Sequence, residues 1–201
     1  MKQLLLIPNI LTLSRILLLF PAIYFLQNSQ FRIATIIIVL LLLTDFLDGF
    51  LARKLNQTSY LGAILDPVAD KIVVIVFFIH LLWANAASPI YSGIVLTRDI
   101  LQLTAIPVLL LWKQIEFKVK PNKIAKLGTA LNFIILALYE INFMLGKIPV
   151  LYMNIKTKMQ FVNLYGLAPL ILISMAIELY ILATFIPRFH QIFVGKHDTF
   201  E

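Results

Sequence analysis

The chain has 201 residues, of which 61% are apolar and only 13% charged, a balance that excludes an ordinary soluble globular domain and marks an integral membrane protein. It contains no cysteine, which excludes disulfides, thiolate metal ligands and a cysteine nucleophile. Its net charge of +7 has no soluble basic face on which to meet nucleic acid, so it is read as attraction to anionic lipid headgroups.

Six apolar runs, about 8–27, 31–53, 60–84, 90–112, 124–146 and 163–187, are each long enough to cross a hydrocarbon core of about 30 Å at about 1.5 Å per residue. The first follows Lys2 and resembles a signal peptide at its start. It runs on to Leu26 without an Ala-x-Ala-like cleavage site, so it is expected to be retained. Gln27-Asn28-Ser29-Gln30 separates the first two runs, Asn56-Gln57-Thr58-Ser59 the next two, and Asn85-Ala86-Ala87-Ser88-Pro89 the third from the fourth. Residues 113–122 and 147–160 supply the remaining breaks. No soluble domain fits these gaps and no internal repeat is visible, so the expectation is an all-α membrane protein of six transmembrane helices forming one domain over residues 1–201. Trp83 and Trp112 fall at span ends, where aromatic belts occur.

Basic residues set the orientation. Lys2, Arg53, Lys54, Lys113, Lys118, Lys120, Lys123, Lys126, Arg188 and Lys196 fall on one side, against Arg32, Lys147, Lys156 and Lys158 on the other. By the positive-inside rule both termini face the cytoplasm. The cytoplasmic membrane of a bacterium is the expected location.

Acid is scarce, with ten Asp and Glu in all, yet four aspartates crowd between Asp45 and Asp70. The stretch reads Asp45-x-x-Asp48-Gly49-x-x-Ala52-Arg53, eight residues, then Gly62-x-x-x-Asp66-x-x-x-Asp70. Each Asp at the centre of a membrane helix costs about 2.5–3.5 kcal/mol, so four cost on the order of 10–14 kcal/mol without compensation. Asp45, Asp48, Gly49 and Ala52 share one face of the second helix, and Gly62, Asp66 and Asp70 share one face of the third. A short loop makes these helices antiparallel neighbours, so two carboxylates meet two.

Hard divalent cations relieve the repulsion. Oxygen-only ligation suits Mg²⁺, Mn²⁺ or Ca²⁺, and two such ions would neutralise a diphosphate and polarise its phosphorus. Gly49 and Gly62 let a ligand lie against the helix backbone, the alternative being close helix packing. Arg53 can fork onto a phosphate or stack on a base.

The whole pattern resembles the signature of the CDP-alcohol phosphatidyltransferase family. The resemblance implies transfer of a phosphatidyl group from CDP-diacylglycerol to an alcohol, with release of CMP. It implies that Asp45, Asp48, Asp66 and Asp70 ligate two ions, Mg²⁺ or Mn²⁺, and that Asp70 also serves as general base. Gly49, Ala52, Arg53 and Gly62 are then the wall for the cytidine diphosphate, with Ser59 touching the nucleotide. Asn9, Thr12 and Arg15 match the family's early Asn-x-x-Thr-x-x-Arg stretch, near the liponucleotide phosphates. A homodimer among membrane lipids is also implied.

The signature does not choose the acceptor. Arg98 and Asp99 lie in the fourth run, with Arg98 about 21 Å from the end at Trp112, and Lys123 and Lys126 open the fifth. A pocket of Arg98, Lys123 and Lys126 binding an acceptor phosphate favours glycerol 3-phosphate or phosphatidylglycerol over inositol or serine. Glycerol 3-phosphate is the first expectation and phosphatidylglycerol, giving cardiolipin, the second. A cation or proton transporter is the rival from another class, with Glu178 near the midplane as a relay; otherwise Glu178 is hydrogen-bonded within a helix contact.

Overall fold

The computed structural model describes residues 6–54, 60–107, 123–148 and 163–194, with the backbone alone at 7–8, 45–46, 48–53, 60–61, 63, 106–107 and 163–164. Among the described residues every regular element is helical: α1 Ile7–Gln27, α2 Phe31–Lys54, α3 Tyr60–Trp83, α4 Pro89–Pro107, α5 Lys123–Gly146, a π-turn Asn163–Leu167 and α6 Ala168–Phe193. The protein is an all-α membrane protein. Its contacts divide it into two units, Met1–His80 and Leu81–Glu201.

In the first unit α1 begins at an extended Leu6, with a proline in its first turn where a missing N–H costs nothing. It ends at the predicted polar break. Ser29 adopts a left-handed φ of 57°, which lets the Gln30 N–H reach back to the Phe25 carbonyl at 2.9 Å. The Asn28 amide also donates to the Tyr24 carbonyl at 2.8 Å. The tight reversal packs α2 along α1. Ala22 and Ala34 are fully buried, and such small side chains let backbones approach closely. Ala69, Val73, Val74, Phe77 and Phe78 form the buried stripe of α3.

The same device ends α3. Asn85 has φ 52° and the Ala86 N–H closes on the Leu81 carbonyl at 2.8 Å. Pro89 then opens α4, and the Ser88 N–H donates to the Tyr139 hydroxyl at 3.2 Å, tying this corner to α5. In the second unit α6 packs against both α4 and α5, around Tyr91, Val95, Ile135, Leu136 and Ile181.

The helices start and stop close to the predicted runs, with two differences. Residues 108–112 of the fourth run lie outside the described residues. The last helix continues to Phe193 through Pro187, past the predicted end at 187. Phe185, Phe189 and Phe193 recur every fourth residue and stack in turn, with ring centroids 6.0 and 6.2 Å apart, which supports the added turns.

Asn9–Gln27, Lys123–Gly146 and Tyr165–Phe193 are long and apolar enough to cross a membrane, and Phe31–Thr44 is a shorter apolar helix. The other helices are diluted by the charges already singled out. The apolar part of α2 stops before Asp45, α3 carries Asp66, Asp70 and Lys71, and α4 carries Arg98 and Asp99. Large apolar side chains such as Leu17, Phe20 and Leu172 point outward, as lipid-facing residues do.

Candidate active site

The last turns of α2 carry Asp45, Asp48, Gly49, Ala52 and Arg53 on a continuous helical backbone. Their three-, four- and seven-residue spacing therefore holds in the folded chain, while their side chains lie outside the described residues. Ser59 lies outside them altogether. On α3, Asp66 and Asp70 are half-buried, one turn apart, and Gly62 is buried one turn before them.

Both described aspartates are held from α1. Thr12 Oγ1 donates to Asp66 Oδ1 at 2.9 Å, and Arg15 Nη1 donates to Asp70 Oδ1 at 2.7 Å. The two helices run parallel, so a three-residue step on α1, about 4.5 Å, meets a four-residue step on α3, about 6 Å. Asn9, Thr12 and Arg15 are all buried, which places the Asn-x-x-Thr-x-x-Arg face inward. The burial of the ion pair is lopsided. Arg15 is 2% exposed and Asp70 39% exposed, so the cation is fixed inside while the carboxylate opens outward.

Sequence reasoning set Thr12 and Arg15 beside the donor's phosphates, and the structure brings them to carboxylates. The available signal was electrostatic: a buried arginine demands an acidic partner. Among the described residues no group of three or more potential ligands converges; the side chains of Asp45 and Asp48 lie outside them. The donor set nonetheless fits a hard divalent ion. Two carboxylates stand one turn apart on α3, Asp66 accepting from a hydroxyl and Asp70 from a guanidinium, and both are partly exposed.

The residues read as an acceptor pocket all belong to the second unit. Lys123 and Lys126 are exposed on the first turn of α5. Arg98 is 3% exposed and already faces acid. Its Nε and Nη2 donate to Asp99 Oδ1 at 2.9 and 2.6 Å, and its Nη1 donates to Glu178 Oε1 at 2.8 Å. Glu178 is thus hydrogen-bonded within a helix contact.

The polar residues around it were not singled out from sequence. Asn132 donates through Nδ2 to Glu178 Oε1 at 3.0 Å, and its Oδ1 accepts from Tyr91 at 2.7 Å and Ser174 at 3.0 Å. The signal was periodicity: Gly128 and Asn132, like Ser174 and Glu178, stand four apart on the stripes that become buried.

Paired aspartates positioned from a neighbouring helix make this all-helical membrane protein one with an ionisable functional site inside its membrane helices. Residues 5–194 match the CDP-alcohol phosphatidyltransferase family, and the chain belongs to it. Among its relatives is a protein of Aquifex aeolicus (strain VF5) named CDP-diacylglycerol--glycerol-3-phosphate 3-phosphatidyltransferase, 36% identical over 148 residues, covering 69% of this chain and 80% of that protein. A protein of the same name from Wigglesworthia glossinidia brevipalpis is 45% identical over 105 residues, covering 47% of this chain and 55% of its own length. The cardiolipin synthase (CMP-forming) of Homo sapiens is 38% identical over 101 residues, covering 50% of this chain and 34% of its own length. Membership in an enzyme family favours catalysis over the rival transporter reading.

Proposed function

We propose that the chain transfers the phosphatidyl group of CDP-diacylglycerol to a hydroxyl of glycerol 3-phosphate and releases CMP. The observation that carries the reading is the Asp66–Asp70 pair on α3, each carboxylate held by its own α1 side chain. The name of the Aquifex aeolicus relative supports this acceptor.

Asp70 takes the proton of the acceptor hydroxyl, the acceptor oxygen bonds to the β-phosphorus, and the bond from that phosphorus to the CMP oxygen breaks. Arg15 fixes the carboxylate that does this, and Thr12 fixes the one beside it. Two divalent ions, Mg²⁺ or Mn²⁺, held by Asp45, Asp48, Asp66 and Asp70, supply charge neutralisation of the diphosphate when bound. Gly49, Ala52, Arg53, Ser59 and Gly62 border the cytidine diphosphate, with Asn9 at the outer limit of the α1 face. Lys123 and Lys126 meet the acceptor's phosphate from the first turn of α5. Arg98 joins them only by sharing a guanidinium already drawn to Asp99 and Glu178. A homodimer in a bacterial cytoplasmic membrane, with the site open to the cytoplasm, completes the reading; the basic-residue asymmetry supports that orientation.

The cardiolipin synthase relative supports a second reading, with phosphatidylglycerol as acceptor. An acceptor panel separates the two. Purified protein with CDP-diacylglycerol and Mg²⁺ or Mn²⁺ is offered glycerol 3-phosphate, phosphatidylglycerol, inositol phosphate and serine, and CMP release is measured. Turnover is expected with glycerol 3-phosphate; turnover with serine alone overturns the phosphate-pocket reading.

A further inference from the structure

The largest buried polar assembly described lies in the second unit, away from every residue of the aspartate signature in sequence. Three helices contribute to it, each from its inward stripe: Tyr91, Arg98 and Asp99 from α4, Gly128 and Asn132 from α5, Ser174 and Glu178 from α6. A bilayer offers such groups no water, so each must be satisfied by protein. Two acceptor atoms each connect the three helices, Asn132 Oδ1 and Glu178 Oε1. Glu178 Oε1 accepts from Arg98 on α4 at 2.8 Å and from Asn132 on α5 at 3.0 Å.

Asn132 cannot turn away from this task. Its Oδ1 accepts both the Tyr91 and the Ser174 hydroxyls, which fixes the amide with Nδ2 toward Glu178. The close approach of α5 to α6 also depends on Gly128. A Cβ there would stand 3.2 Å from Glu178 Oε1, and 3.0 Å from Ile177 Cγ2 and Ile181 Cδ1. Gly128 is two residues from Lys126 and five from Lys123 along α5, so whatever fixes Gly128 against α6 fixes the turn that carries both lysines.

We infer that Glu178 is the positioning residue of the proposed acceptor pocket in the second unit, holding Arg98 by an ion pair and the lysine-bearing start of α5 through Asn132 and Gly128. The inference rests on the proposed acceptor pocket and adds the residue that sets its geometry. Glu178 touches neither substrate. It acts through the guanidinium it orients and through the helix it holds in register.

The test uses the full-length protein in detergent micelles with CDP-diacylglycerol and glycerol 3-phosphate. For Glu178→Gln the KM for glycerol 3-phosphate is expected to rise about fivefold or more, with the KM for CDP-diacylglycerol within about twofold of the parent. Gly128→Ala, which leaves every charge in place, is expected to raise the same KM selectively. Equal changes in both constants, or none, in Gly128→Ala overturn the inference, and that variant decides the matter if Glu178→Gln does not fold.

A thermal unfolding cycle of Arg98→Met, Glu178→Met and the double variant reads the hub without turnover. Arg98→Met strands two buried carboxylates, Asp99 and Glu178, and Glu178→Met relieves one of them, so the double variant is expected to lose less Tm than the two single losses combined. Additive losses overturn the inference. If the parent releases no CMP with any acceptor, the proposed function fails and this role falls with it, while a coupled cycle leaves Glu178 as a scaffold residue alone.

Discussion

Replacing Arg15 with methionine separates two roles for the α1 face. The guanidinium lies 2.7 Å from Asp70 Oδ1 and is almost fully buried, whereas the carboxylate is 39% exposed. A hydrogen bond between charged groups contributes about 1.5–3 kcal/mol, and a fully buried pair broken on one side costs about 3–5 kcal/mol. Solvent reaches Asp70, so screening pulls the figure to the lower range, about 2 kcal/mol. If that energy serves to hold the general base in its working orientation, about 2 kcal/mol corresponds to a roughly 30-fold fall in kcat. The assay is steady-state CMP release across both substrates at saturating Mn²⁺. The expected result is a kcat loss near that size with the KM for CDP-diacylglycerol within about threefold, and partial recovery in Arg15→Lys, which keeps the charge. A kcat within about threefold of the parent refutes the reasoning. A loss carried by the donor KM does so too, and puts Arg15 on the liponucleotide phosphates.

Three further outcomes are expected from the same site. Asp70→Asn keeps the size of the side chain but cannot take a proton, so turnover should fall by about 10²–10⁴ while CDP-diacylglycerol still binds in equilibrium dialysis. Thr12→Val removes one hydrogen bond to Asp66, worth about 1 kcal/mol, and should lower kcat about fivefold without unfolding the protein by circular dichroism. Chelation with EDTA should abolish CMP release, Mg²⁺ or Mn²⁺ should restore it, and Zn²⁺ should do so poorly because the donor set is oxygen alone.

Helix positions were readable because a membrane leaves the chain few options. An apolar run of about twenty residues must satisfy its backbone internally, and a polar cluster such as Gln27 to Gln30 is where it can stop. What the run does not show is how it stops. Ser29 and Asn85 take left-handed backbones that sequence rules reserve mainly for glycine, and each is fixed by a backward hydrogen bond visible only in three dimensions. The end of α6 was placed too early for a related reason. Pro187 reads as a stop, yet phenylalanines stacked on either side of it sustain the helix.

The aspartate face was readable for the opposite reason: its cost is so high that only a shared task explains it. Fixed spacing within one helix translates directly into a face, and Asp66 and Asp70 do lie one turn apart. Partnership between helices is another matter, because spacing says nothing about which residue fifty positions away arrives opposite. Thr12 finds Asp66 and Arg15 finds Asp70 across separations of 54 and 55 residues, and Arg98 finds Glu178 across 80. Charge balance narrows the search even so. Away from the ends of the apolar runs stand three basic residues, Arg15, Lys71 and Arg98, and both arginines among them are buried against carboxylates. In a bilayer the pairing of internal charges is close to obligatory. The pairs that form therefore report which helices must be neighbours before any contact is measured, and a charged residue that serves two helices at once, as Glu178 does, is one whose loss should be felt far from its own position.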